Sequence, residues 1–184
     1  MRRWILAAIL ALCAQSAWAA SPTAAPPPAA PAIGETPPPA LGKDGKGKAI
    51  NLADYRGKVV IVTFWASWCG YCLKELPALN ALQTGAGEQW LKIIAVNVQD
   101  EMPQYRAMLR QMRDYTLVMT RDRDGDIAAT YGVKAYPNLW MINPQGKVAV
   151  HHVGYGESSL QEIINEIKRL LYVEMERQKT AAAG

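Results

Sequence analysis

Histidine, cysteine and phenylalanine are scarce in this chain, at two, three and one of 184 residues. A structural zinc site wants four ligands, usually from two cysteine pairs. The chain offers one close pair, Cys69 and Cys72, plus His151 and His152, which are adjacent and would face opposite sides of a strand. That supply argues against zinc. Charge of one sign is also lacking. The formal charge is only +4, and Arg2 and Arg3 contribute two of those charges from the extreme N-terminus. So mild a balance argues against nucleic acid or an anionic membrane surface as a partner. No internal repeat is visible. The one long apolar run, near the N-terminus, is about a dozen residues, short of the roughly 20 needed to span a bilayer comfortably.

That run does fit a leader. Arg2-Arg3 forms a positive start, WILAAILALCA an apolar stretch, and Ala17-Trp18-Ala19 places small residues at the positions that specify cleavage. Residues 1–19 are therefore expected to be a secretory signal peptide, or an N-terminal anchor if uncleaved. Cys13 follows the bulky Leu12 and reads as part of the apolar stretch rather than as a lipidation site. Only Cys69 and Cys72 then remain, in a compartment that tolerates disulfides. Residues 20–40 hold eight prolines and have little to bury, which predicts a disordered, semi-stiff linker. A folded domain is expected over 41–172, ample for one stable core, with a frayed tail over 173–184.

Inside that domain the apolar patterning alternates between strands and helices. LGKDGKGKAINL predicts a hairpin turning at Asp44-Gly45. VVIVTF (59–64) and IIAVNV (93–98) are continuous apolar runs, as in strands buried on both faces. Between them, Leu73, Leu76, Leu79 and Leu82 recur at helical spacing from Cys69 onward, with Pro77 expected to bend the helix. A second helix is predicted over 103–113, its arginines 106, 110 and 113 on a solvated face. A short strand over 116–120 and a short helix over 127–131 follow. Strands 139–142 and 147–153 flank the Asn143-Pro144-Gln145-Gly146 turn. A capping box, Ser159-Leu-Gln-Glu162, is expected to open the last helix. Asp122, Asp124 and Asp126 alternate as in a calcium loop, but Ile127 and Val133 stand where that loop needs glycine and glutamate. Asp126 is therefore expected to cap a helix instead. The order predicts an α/β fold with a mixed sheet flanked by helices and an added N-terminal β-hairpin.

The segment FWASWCGYCLKEL (64–76) carries the chemistry. Haem attachment needs histidine after the second cysteine, and Leu73 stands there. A static disulfide closing so small a loop would constrain the unfolded chain only weakly. Redox exchange fits better. A strand entering Trp65-Ala66-Ser67-Trp68 and a helix starting at the cysteines would put Cys69 at a helix N-terminus, where unpaired N–H groups stabilise a thiolate. Cys72, one turn further in and more buried, lies within disulfide reach. Cys69 is thus the expected nucleophile and Cys72 the resolving thiol. Trp65 and Trp68 could offer an apolar surface to a substrate, and Trp65 could equally belong to the core.

WASWCGYC, the Glu75-Leu76-Pro77 step, and Ala135-Tyr136-Pro137 before a strand resemble the thioredoxin superfamily. The leader, the hairpin and CLKELPAL resemble its TlpA/ResA-like extracytoplasmic branch. The resemblance implies a thioredoxin fold and a Cys69–Cys72 disulfide. It also implies a cis peptide bond at Pro137, facing the cysteines and presenting backbone to substrate together with Trp68, Gly70, Tyr71 and Tyr136. It implies neither a cofactor nor a metal. Two departures stand out. Thr63 occupies the position of the buried aspartate of cytoplasmic thioredoxins and cannot act as a base near neutral pH. Glu75 is the nearest carboxylate by sequence: it is either the proton acceptor for Cys72 or an exposed helix residue. Gly70-Tyr71 replaces Gly-Pro between the cysteines, which shifts the potential. Tyr136 either narrows the substrate range or packs over the disulfide. The function implied is a periplasmic protein-disulfide reductase, a monomer acting on disulfide-containing proteins and supplied by a membrane thiol donor. The alternatives are a disulfide-forming oxidant, a copper-handling protein, or a binding module with an inert disulfide.

Overall fold

The computed structural model describes residues 29–182. The expected leader, and the first part of the expected linker, lie outside the described residues. The chain forms β1 (Ala40–Asp44), β2 (Ala49–Asn51), a short 3-10 turn (Leu52–Tyr55), β3 (Val59–Trp65), α1 (Gly70–Ala86), β4 (Leu91–Val98) and α2 (Met102–Gln111). Then come β5 (Val118–Asp122), α3 (Asp126–Thr130), β6 (Asn138–Ile142), β7 (Val148–Val153) and α4 (Glu157–Ala182). Seven strands make one mixed sheet in the order β2-β1-β5-β4-β3-β6-β7. β3, β4 and β5 run parallel, and β6, β7 and the N-terminal hairpin join antiparallel. This is the thioredoxin fold with an added hairpin.

β3 is central and buried along its whole length. Because side chains alternate across a strand, its residues divide between two cores. Val59, Ile61 and Trp65 pack with Leu76 and Leu79 of α1, Tyr105 of α2, and Ile163 and Ile167 of α4. Val60, Val62 and Phe64 pack on the other face with Ala128 and Tyr131 near α3, Trp140 of β6, and Leu41 and Ile50 of the hairpin. Thr63 takes its place in the first row, so a hydroxyl faces α1 from an otherwise apolar strand.

Several boundaries differ from expectation, each for a physical reason. Residues 31–39 are not a free tether. Gly34 donates to the Val148 carbonyl and Val148 to that of Glu35, both at 2.8 Å. Tyr131 Oη donates to the Pro38 carbonyl at 2.7 Å. Prolines lack N–H donors, but their carbonyls still accept and their rings still bury. β5 begins at Val118 rather than at 116, because the Thr116 N–H goes to Asn80 Oδ1 instead of the sheet. Asp126 does not cap α3. Gly125 holds the N-cap in the left-handed region at φ 83°, and Asp122 Oδ2 accepts the Ala128 N–H at 2.8 Å. Ser159 is not the cap of α4 either: the helix opens at Glu157, and the Ser159 hydroxyl turns back to Gly156. The end of α4 stays helical to Ala182, with Arg177–Glu174 and Lys179–Glu176 pairs at 2.6 and 2.7 Å along its surface. α1 continues through Pro77, and its buried stripe runs Cys72, Glu75, Leu76, Leu79, Gln83. Leu73 and Leu82 flank that stripe half-buried.

Candidate redox site

The site lies where β3 delivers its C-terminal end to the N-terminus of α1. Cys69 is the N-cap residue, with extended backbone at φ −86° and ψ 96°. Its N–H donates to the Ala66 carbonyl at 3.1 Å, and its sulfur accepts the Cys72 N–H at 3.2 Å. A sulfur placed there sits in the field of the first-turn amides, which favours negative charge on it once the disulfide opens. Cys69 and Cys72 are joined in a disulfide with Cα atoms 5.3 Å apart. Cys69 retains 7% exposure and Cys72 none, so an approaching partner can reach only the first sulfur.

Below the pair, Glu75 follows Cys72 by one turn on the buried stripe of α1 and is only 1% exposed. Thr63 Oγ1, projecting from β3, donates to Glu75 Oε2 at 2.9 Å. Burial pushes the Glu75 carboxyl from 4.5 up to about 7, against the pull of the Thr63 hydrogen bond. An exposed helix glutamate is therefore excluded. The threonine at the position of the thioredoxin aspartate and the glutamate on the helix form one unit, in which the helix brings the carboxyl and the strand brings its donor.

The rim is aromatic. Trp68 is 72% exposed and Tyr71 59%, and Lys74 Nζ stands 5.7 Å from the Tyr71 ring centre. Tyr136 meets Trp68 edge-on at 5.6 Å between ring centroids. Burial, with Asp122 and Asp100 nearby, holds the Tyr136 phenol above its ordinary range. The Tyr136–Pro137 bond is cis, and the Pro137 carbonyl accepts the Gly154 N–H at 2.8 Å. A Cβ added at Gly70 would meet open space. Trp65 belongs wholly to the core, fully buried. His151, one of the two histidines weighed as metal ligands, stacks on Trp140 at 3.7 Å, with Nε2 3.0 Å from Asn138 Oδ1. Burial, then His152, lowers its pKa.

Sequence reasoning missed the support beneath the loop. Asp100, 5% exposed, accepts the Ser67 N–H at 2.7 Å and the Asn97 side-chain amide at 2.6 Å, both through Oδ2. Arg121 donates twice to the Asp100 carbonyl, at 2.6 and 3.2 Å. The loop that presents Trp68 and Cys69 is thus tied to the ends of β4 and β5. The available signal was Asn97, a polar residue inside the apolar run IIAVNV.

A cysteine pair at a helix start, one sulfur accessible and the other buried, set on a thioredoxin fold, defines a thiol–disulfide oxidoreductase. The chain belongs to the AhpC/TSA family, whose pattern matches residues 33–151. It is 31% identical over 138 residues to the thiol-disulfide oxidoreductase ResA of Bacillus thuringiensis subsp. konkukian strain 97-27, covering 75% of this chain and 78% of that protein. With ResA of Bacillus subtilis strain 168 the identity is 33% over 128 residues, covering 68% and 70% of the two chains. Among solved structures, a Chlorobium tepidum protein described as a thiol:disulfide interchange protein DsbE superposes with a TM-score of 0.71 at 29% identity. That match covers 77% of this chain and 99% of the other.

Proposed function

We propose that the protein is an exported protein-disulfide reductase. The observation that carries the direction is the buried Glu75. Once ionised, a carboxylate beneath the cysteine pair disfavours thiolate there. It therefore weakens the reduced form relative to the disulfide, which favours giving electrons away. A strong oxidant needs the opposite, a reduced form stabilised by a very acidic first cysteine.

The cycle balances as two thiol–disulfide exchanges. The Cys69 thiolate attacks one sulfur of a substrate disulfide, that S–S bond breaks, and one substrate thiolate leaves. Glu75 then accepts the proton of the Cys72 thiol. The Cys72 thiolate attacks Cys69 Sγ, releasing the second substrate thiolate and closing the Cys69–Cys72 disulfide. Two electrons reach the substrate, and a membrane thiol donor returns two to the protein. Trp68, Tyr71 and Tyr136 form the apolar rim for an unfolded or loop segment of the substrate, with Gly70 leaving room for its approach. Pro137 offers backbone beside the reacting sulfurs.

Export and a periplasmic location rest on the leader pattern of residues 1–19. No described helix is long and apolar enough to cross a membrane. The protein acts as a monomer that needs no cofactor. The test compares two reactions of the purified protein: its reduced form with insulin, and its oxidised form with reduced, unfolded ribonuclease. Fast insulin reduction, abolished by Cys69→Ser, is the expected result. Efficient ribonuclease oxidation with sluggish insulin reduction makes the protein an oxidant instead.

A further inference from the structure

A cavity of about 490 Å³ opens between the N-terminal hairpin, the end of β5 and α2. Its walls include Lys43, Arg106, Arg121 and Arg123, against a single carboxylate, Asp44. Asp44 Oδ1 accepts the N–H groups of Lys46 and Lys48 at 2.9 Å, and its one negative charge is set against four cations in the wall. Among the described residues, Lys43 and Arg106 take part in no ion pair, and Arg123 reaches only the exposed Asp124, at 3.8 Å. Lys43, Arg106 and Arg123 are exposed, so water and salt screen their mutual repulsion, but the hollow keeps a surplus of positive charge that an anion would complement.

Tyr105 supplies the second observation. It lines the same cavity and is only 5% exposed, yet its hydroxyl has no hydrogen-bond partner among the described residues. Burial pushes its phenol up to about 12, with Arg121 pulling it down and Asp44 pushing it further up. The hydroxyl therefore lies in the field of two cavity-wall side chains. A buried phenol without a partner costs about 1–3 kcal/mol, and such groups in native proteins call for an explanation.

We propose that this cavity is a binding site for a small oxyanion, a carboxylate or phosphate group, held by Arg106, Arg123 and Lys43 and accepting the Tyr105 hydroxyl proton in a hydrogen bond. Guanidinium groups bind such anions through paired N–H donors. Arg121 completes the wall while it donates to the Asp100 carbonyl, so ligand site and redox loop share a side chain. The site lies at the C-terminal end of β5, the same edge of the sheet that carries the cysteines.

The experiment is an amide NMR titration of the purified protein with inorganic phosphate and, separately, with succinate, at ionic strength held constant with sodium chloride. Saturable shifts at Tyr105, Arg106 and Arg121 with at least one probe are expected. Affinity should fall about tenfold in Arg106→Ala, the size of one lost charge-assisted contact, and several-fold in Tyr105→Phe. Both variants should fold, since Arg106 is exposed and phenylalanine keeps the ring. The probe that binds tighter identifies the head group. Linear, unsaturating shifts with both probes overturn the proposal, as does unchanged affinity in Arg106→Ala.

Discussion

Replacing Glu75 by glutamine keeps the shape of the side chain and its hydrogen bond with Thr63 while removing the charge. The wild-type carboxyl titrates from 4.5 in the unfolded chain and at about 7 in the fold. Below pH 4.5 it is neutral in both states and contributes nothing to the pH dependence. Between pH 4.5 and 7 the folded state binds the proton that the unfolded state has lost, so stability falls as pH rises. At about 1.36 kcal/mol per pH unit, the loss reaches roughly 3 kcal/mol above pH 7. Glu75→Gln removes this slope. Urea melts of the oxidised protein should therefore place the variant close to wild type at pH 4 and about 1–2 M higher in midpoint at pH 8. In the same variant, insulin reduction near pH 7 should drop about a hundredfold or more, the usual contribution of general base catalysis. A stability difference that stays constant from pH 4 to 8 refutes the desolvated carboxyl. Unchanged turnover refutes its role as proton acceptor.

Three further outcomes test other parts of the account. Cys72→Ser should accumulate a stable mixed disulfide between Cys69 and substrate, visible by non-reducing mass analysis, because no thiol remains to resolve it; rapid turnover would contradict the assignment. Asp100→Ala leaves the Ser67 amide and the Asn97 side chain without their acceptor and should cost about 1–3 kcal/mol in denaturant melts. It should also slow thiol exchange by loosening the loop, whereas Asp100→Asn should recover most of both. Trp68→Ala should change stability by less than about 0.5 kcal/mol, being exposed, while raising the KM for protein substrates and sparing reaction with small disulfides.

Much of the fold was legible in the sequence because β3 and β4 are buried on both faces and so appear as unbroken apolar runs. The cysteine pair was legible for the same reason, since a strand running directly into it leaves little choice of local structure. Glu75 was not decidable from spacing alone. Its position three residues past Cys72 fits a neighbouring or a buried face, and only the packing of α1 against Thr63 distinguishes them. Residues 31–39 misled because proline-rich composition reports missing donors and says nothing of carbonyls that find donors on Tyr131 and Val148. The capping expectations at Asp126 and Ser159 failed because a glycine N-cap and a longer helix displaced them. Asp100 was invisible since its role depends on a partner, Ser67, 33 residues away.

The reductive direction is the central claim, and the reduction potential of the Cys69–Cys72 pair tests it most directly. The purified protein would be equilibrated with defined thiol–disulfide buffers and read by thiol alkylation, with tryptophan fluorescence from the neighbouring Trp65 and Trp68 alongside. A potential near or below about −250 mV, in the range of thioredoxin-like reductants, is the predicted result. A value near about −120 mV, that of strong disulfide donors, would contradict the account and make the protein an oxidant.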